Sequence, residues 1–234
     1  MIRLGITGTD TGVGKTIVGC AIANGLRRRN LRVAAMKPIE TGVAMDDDTR
    51  DGARLARAAG GLLPLSVLAP LTFPDPLAPL AAARRVGANL DLTLLDHAVR
   101  TASAGADALV IEGAGGLLVP ITAGASFDAL FARWQLEVVI VAANRLGVIN
   151  HTRLTIAAAR AAGLTISMVV LNNPLEASDT SVRENAALIA ELENVRVAEL
   201  PWLSDPGDLE RASEIILEPV IHELERSGRP LAGR

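Results

Sequence analysis

The chain has 234 residues, of which 50% are hydrophobic and 21% charged, so it can bury a sizeable core and is not a disordered polymer. A net charge of −3 argues against a nucleic-acid surface, and a single cysteine, Cys20, excludes a disulfide framework and points to a reducing compartment. No apolar run reaches about 18 residues and the N-terminus already reads as a strand, so neither a membrane span nor a signal peptide is expected and a soluble cytoplasmic enzyme is the default.

Aromatic residues make up only 2% of the chain and tyrosine is absent, so the core must be built of Ala, Leu, Val and Ile. The apolar run Leu4-Gly5-Ile6 predicts a buried first strand. Gly8, Gly12 and Gly14 then break the pattern, and Lys15-Thr16 opens a helix with inner positions Ile17, Ala21, Ile22 and Leu26. Cys20 sits on that inner spacing as a small core residue. A second strand, residues 33–36, ends at Lys37-Pro38, and Asp46-Asp47-Asp48-Thr49 leads into a helix over 51–59. Residues 62–80 carry five prolines and are expected to be loop or broken helix wrapping the body.

Residues 90–104 have helical spacing, and 108–111 form a strand that ends at Glu112 before Gly113-Ala114-Gly115-Gly116. A helix is expected over 126–134 with Ser126 as its N-cap, followed by a central strand over 137–143. An Ala-rich helix over 149–162 stops at Gly163, and a strand over 167–171 stops at Asn172-Asn173-Pro174. Helix 181–192, strand 195–200 and a closing helix 208–225 complete the pattern. Alternating strands and helices predict one α/β domain over residues 1–234, of P-loop NTPase type. Its sheet is mainly parallel, with helices on both faces.

Strand, glycine-rich loop, G-K-T and helix form the layout of a phosphate-binding loop. Its glycines let backbone N–H groups curl around phosphate oxygens, while the helix N-terminus adds partial positive charge. Lys15 reaches the terminal phosphates and the Thr16 hydroxyl is a ligand for Mg²⁺. One departure stands out: five residues separate Gly8 from Gly14, and the strict spacing would put its first glycine at Thr9. Ligands of a parallel sheet lie beyond the carboxyl ends of its strands. That rule gathers residues 8–16, 37–41, 112–116, 144–150, 172–173 and 201–203 around one crevice.

Glu112, at the end of an apolar strand, is where a P-loop protein keeps an acid for Mg²⁺, and Asp51 is a further oxygen donor in competition with Asp46, Asp47 and Asp48. Lys37 follows a buried strand on the ligand side and is expected to face phosphate or an anionic reacting group. In N-R-L-G-V-I-N-H-T, Asn150 or a neighbour caps the next helix, leaving N–H groups suited to a carboxylate; His151 lies near this site or packs within the helix. No His/Cys spacing suggests zinc.

The blocks G-T-D-T-G-V-G-K-T, K-P-I-E-T-G, V-I-E-G-A-G-G-L-L-V-P, L-G-V-I-N-H-T, L-N-N and L-P-W-L, in that order, make the chain resemble the dethiobiotin synthetase family from residue 2 to about 210. That family's phosphate loop has the same five-residue gap. The resemblance implies a homodimer, with the active site at the subunit interface, that uses ATP and Mg²⁺ to close the ureido ring of dethiobiotin from 7,8-diaminononanoate and CO2. The implied route runs through a carbamate and a carbamic–phosphoric anhydride. By the same pattern Gly12, Val13, Gly14, Lys15, Thr16 and Ile17 cradle the phosphates. Gly113, Ala114 and Gly115 lie beside the nucleotide, and Thr16, Asp51 and Glu112 surround the metal. Lys15 and Lys37 hold the carbamate and the transferring phosphoryl group. Asn172, Asn173, Pro201, Trp202 and Leu203 form the base pocket, and Asp208 stands where an acid meets the ribose. Thr41 contacts the substrate, and Gly147, Val148, Ile149 and Asn150 bind its carboxylate from across the dimer.

The rival reading is a partitioning or division-site ATPase switch of the same P-loop class. Such proteins carry a lysine early in the loop, where this chain has Asp10, and often a basic amphipathic tail. The last helix here is amphipathic but acidic, which argues against anionic lipid. A glutamine-dependent amide ligase would need an attached glutaminase, for which the length leaves no room. A nucleotide-binding module without chemistry is the third alternative.

Overall fold

The computed structural model describes residues 1–173, 182–203, 205 and 208–226. In chain order its elements are β1 (Ile2–Gly8), α1 (Lys15–Arg28), β2 (Val33–Met36), β3 (Ile39–Thr41), α2 (Asp51–Ala58), α3 (Leu65–Leu68), β4 (Leu71–Phe73), α4 (Pro79–Arg85), α5 (Leu92–Ser103) and β5 (Ala108–Gly116). These are followed by β6 (Pro120–Thr122), β7 (Ala125–Ser126), α6 (Phe127–Arg133), β8 (Glu137–Ala143), α7 (Val148–Ala161), β9 (Ile166–Asn172), α8 (Val182–Glu193), β10 (Val197–Leu200) and α9 (Leu209–Arg226). The expected strand stop at Pro174 and helix start at Ser181 lie outside the described residues. None of the described helices is long and apolar enough to cross a membrane.

Six strands form a parallel sheet in the order β10-β9-β8-β1-β5-β2. Both faces are covered, which is why its strands read as unbroken apolar runs rather than as alternating ones. Successive residues still point to opposite sides. Ile2, Leu4 and Ile6 of β1, with Val139 and Val141 of β8, pack against Val18, Ile22 and Leu26 of α1 and Ile216 and Val220 of α9. Leu109 and Ile111 of β5, with Val138 and Ile140 of β8, face Leu95 and Val99 of α5, Leu130 and Phe131 of α6, Ile156 of α7 and Ile189 of α8. Burying such branched side chains stabilises by roughly 1.5–3 kcal/mol each. The two faces together therefore fix the strand ends from which the site is built.

Three expectations need correction. The strand expected to end at Glu112 continues to Gly116, because β5 bulges within residues 113–115, opposite Thr7 of β1, and pairs again, Gly116 with Gly8. The proline-rich segment is not only loop and broken helix: β4 lies parallel to β3, Glu40 opposite Thr72, and Pro79 starts the short helix α4. Helix starts also differ. Ser126 is the N-cap of α6 as expected, but its hydroxyl donates to the Asp128 carboxylate at 2.6 Å rather than accepting a backbone N–H. Gly147, not Asn150, occupies the cap of α7, since the turn after β8 needs φ of 91°. Asn150 is an exposed residue of the first helical turn.

Candidate active site

The loop between β1 and α1 is shaped by glycine. Gly14 precedes α1 with φ of 100°, and a Cβ there would collide with the Asn172 side-chain amide. That amide donates to the Val13 carbonyl at 3.0 Å, so the end of β9 braces the loop from behind. Lys15 is buried and donates to the Asp10 carbonyl at 3.0 Å, which folds the loop back over its own lysine. Burial lowers the Lys15 pKa, and neighbouring Lys37 pushes the same way, against the pull of Glu112 and Asp51. A lysine desolvated in this way is short of anionic partners and suited to phosphate oxygens.

Beside it four side chains converge. Lys37, at the end of β2, donates to Glu112 Oε1 at 2.9 Å and to the Asp51 carboxylate. The Thr16 hydroxyl donates to the same Glu112 oxygen at 3.0 Å. Burial alone would lower the Lys37 pKa, but Glu112 and Asp51 outweigh it and hold the ammonium above its ordinary value. Burial opposes ionisation of Asp51 as well, yet Lys37 and Thr16 keep its pKa low. Glu112 is 1% exposed and burial raises its pKa, with Lys37 pulling the other way. Its Oε2 is buried and has no hydrogen-bond partner. Asp46, Asp47 and Asp48 stay outside; Asp47 instead accepts from the Thr49 N–H at 2.8 Å and the Thr49 hydroxyl at 2.6 Å.

These groups line a cavity of about 580 Å³ with Thr41, Arg54, Ala114 and Gly115; the 76–79 segment and Val119 close its rim. Gly12, Gly14, Lys15, Thr16, Ile17, Lys37, Asp51 and Glu112 all face it. Arg54, one helical turn beyond Asp51 and 3.7 Å from it, was absent from the sequence-based set, although its i+3 spacing from Asp51 would have located it. The proline-rich rim gave no such signal.

The remaining residues are not on that cavity. Val13 is buried under the loop and Gly113 packs against Phe127. Asn172 meets the loop from its far side. Asn173 Nδ2 donates to the Leu200 carbonyl at 3.0 Å while its Oδ1 is buried without a partner. Pro201 and Leu203 are half-buried and Trp202 is 38% exposed. Asp208 accepts from the Arg211 N–H at 3.2 Å, which caps α9 and accounts for an acid at that position. Gly147 and Asn150 are exposed at the start of α7, Val148 is buried and Ile149 half-buried. The crevice expected to gather every strand end therefore divides, with the 8–16, 37–41 and 112–116 segments on the cavity and the others beside it.

The donor set fits a hard cation shared with phosphate. Two carboxylates, one of them with the orphaned Glu112 Oε2, and a hydroxyl supply oxygen only, and among the described residues no group of three or more His, Cys, Asp or Glu could hold a metal by itself. Mg²⁺ is held in that manner, by one or two carboxylates with water and substrate phosphate completing its shell.

Comparison with known proteins accords with this chemistry. An AAA-domain family model matches residues 3–208. The chain is 44% identical over 222 residues to the ATP-dependent dethiobiotin synthetase BioD of Anaeromyxobacter dehalogenans (strain 2CP-C), covering 94% of this chain and 99% of that protein. It is 37% identical to the protein of the same description from Aquifex aeolicus, covering 87% of this chain and 90% of that one. Against the Bacillus thuringiensis (strain Al Hakam) protein it is 35% identical, covering 97% and 96%. Among solved structures a ParA family ATPase from Chlorobium tepidum superposes with a TM-score of 0.57 at 16% identity, covering 95% of this chain and 100% of that one. The MinC:MinD complex of Aquifex aeolicus does so with a TM-score of 0.57 at 13% identity, covering 100% and 98%. At such identities those two share the fold.

Proposed function

The chain belongs to the ATP-dependent dethiobiotin synthetase family and is an ATP-using ligase, and we propose that it converts 7,8-diaminononanoate and CO2 to dethiobiotin with release of ADP and phosphate. Residues 1–234 act as one catalytic unit in the cytoplasm, as a homodimer. The observation that carries the reading is the meeting of Lys15, Thr16, Lys37, Asp51 and Glu112 on one cavity.

One amine of the substrate forms an N–C bond to CO2 and gives up a proton, leaving a carbamate. A carbamate oxygen then attacks the γ-phosphorus of ATP, breaking the bond to the β-phosphate oxygen and releasing ADP. The second amine attacks the carbonyl carbon of the resulting anhydride, the C–O bond to phosphate breaks, and the ring closes as a proton leaves. Lys15 holds the terminal phosphates and Lys37 holds the carbamate, so two anions are brought together at small electrostatic cost. No protein nucleophile is required, because the diamine carries its own. Thr16, Asp51 and Glu112 would hold Mg²⁺, which neutralises phosphate charge when bound. Thr41 contacts the diamine.

The base lies beyond Asn172, Asn173, Pro201, Trp202 and Leu203, on the far side of the loop from the acidic cluster. The substrate carboxylate meets Gly147, Val148, Ile149 and Asn150 of the second subunit. In support, this helix start stands off the cavity of its own chain and carries Leu146 at 79% and Leu154 at 62% exposure, an apolar surface that a partner would cover.

The test is phosphate release with ATP, Mg²⁺ and bicarbonate, with and without diaminononanoate, followed by identification of the product. Release that depends on the diamine and yields dethiobiotin is expected. Release indifferent to the diamine but stimulated by DNA or vesicles would instead favour the partitioning-switch reading.

A further inference from the structure

Glu40 belongs to the K-P-I-E-T-G block, yet no role in the reaction has fallen to it. Its carboxylate is almost fully enclosed and receives the Arg50 guanidinium at 2.8 Å, with side-chain exposures of 3% for Arg50 and 2% for Glu40. Its other oxygen accepts the Gly52 N–H at 2.8 Å. Arg50 in turn donates to the Thr72 hydroxyl at 2.7 Å, and Thr72 stands opposite Glu40 in the β3–β4 pair. Asp51 lies between these two anchors. Residues 42–49, which lead into it, are exposed or half-buried and hold α2 with little apolar packing of their own.

Local chemistry does not explain this arrangement. Arg50 sits at the N-cap of α2 but makes no side-chain capping bond there. A carboxylate from β3 accepts the free N–H of the first turn instead. The approach is close enough that a Cβ on Gly52 would lie 2.8 Å from Glu40 Oε2 and 2.9 Å from the Ala69 methyl. The residue at 52 must therefore be glycine for α2 to seat on β3. Lys37, Glu40 and Thr41 belong to one short segment, so fixing Asp51 to Glu40 also fixes it relative to Lys37.

We propose that Glu40, through Arg50 and Gly52, is a positioning residue that sets Asp51 at the metal- and phosphate-binding cluster. The inference rests on the metal assignment of the proposed reaction. Groups that orient metal ligands from behind typically alter metal affinity by about 10–100-fold when removed.

The experiment is calorimetric titration of Mn²⁺ into the ADP complex of the full-length protein, with a melting curve for each variant. Glu40→Gln is expected to raise the Mn²⁺ dissociation constant by about 10–100-fold. Thr72→Val, which removes one bond to Arg50 and leaves no buried charge unpaired, is expected to raise it by less and serves if Glu40→Gln fails to fold. A melting point that falls while Mn²⁺ affinity stays at the wild-type value in the folded variants would overturn the positioning role. Wild-type protein that takes up no Mn²⁺ with ADP would overturn the metal assignment and the inference together. Diamine-dependent phosphate release by the wild type, measured alongside, tests the reaction separately.

Discussion

Lys37 Nζ donates to Glu112 Oε1 at 2.9 Å, a buried ion pair that ties the end of β2 to the neighbouring strand β5 at the floor of the cavity. Lys37 directly follows β2 and Glu112 lies in the middle of β5, where backbone geometry is held by the sheet, so the pair is preorganised rather than assembled by the ligand. Charge neutralisation at a transferring phosphoryl group benefits from that rigidity.

Lys37→Ala is expected to lower kcat by about 10²–10³, the usual cost of removing one preorganised charge-stabilising donor. ATP should still bind, since Lys15 and the loop N–H groups are untouched. The variant also leaves Glu112 without its closest cation, at a cost on the order of 3–5 kcal/mol if the carboxylate stays ionised. Phosphate-release kinetics with nucleotide titration separates these effects. Wild-type kcat would remove Lys37 from the reaction.

Gly14→Ala meets two obstacles, a left-handed backbone with φ of 100° and the Asn172 amide. The backbone strain alone is worth about 1–3 kcal/mol. A higher KM for ATP and a lower melting temperature are expected. Adding Asn172→Ala removes the collision but not the strain, so the double variant should recover only part of the loss. Full recovery would mean that the side-chain contact, not the dihedral, selects glycine.

Asp96 accepts from the Trp134 indole N–H at 2.8 Å and pairs with Arg133, away from the cavity. Asp96→Ala leaves the indole donor unpaired, which costs about 1–3 kcal/mol. Denaturant unfolding should show that loss, while kcat of the folded fraction is unchanged. A fall in kcat at full folding would link this corner to the site.

Cys20 is buried on α1, and burial pushes its thiol up to about 12 from 9.0. The thiolate is the reactive form, so a thiol reagent at pH 8 should leave the native protein unmodified and label it in guanidinium chloride. Linkage gives the accompanying sign. Between pH 9.0 and about 12 the unfolded thiol is ionised while the folded one keeps its proton, so this residue's contribution to stability falls as pH rises through that window. Rapid native labelling would show that α1 opens.

The strand spans 33–36 and 137–143 coincide with those expected from periodicity alone, and α1 begins at Lys15, where the G-K-T motif put it. These features are local: a run of branched residues buried on both faces, or glycines before a helical period, reads the same in any fold. The β3–β4 pair escaped because prolines mask a strand too short to show alternation. Asn150 or a neighbour was expected to cap a helix; the turn after β8 demanded a left-handed residue, and among those neighbours Gly147 supplies it.

The amino-acid sequence by itself determined the kinds of groups present: a phosphate loop, strand-end acids and lysines, and a core without disulfides. Only the tertiary structure decided which of them meet. It chose Asp51 over Asp46, Asp47 and Asp48, set Asn172 behind the loop, and enclosed Glu40 with Arg50. The physical reason is separation along the chain. Residue type and period act over a few positions, while these contacts join segments that approach only when both faces of the sheet are covered, and no local pattern encodes that approach.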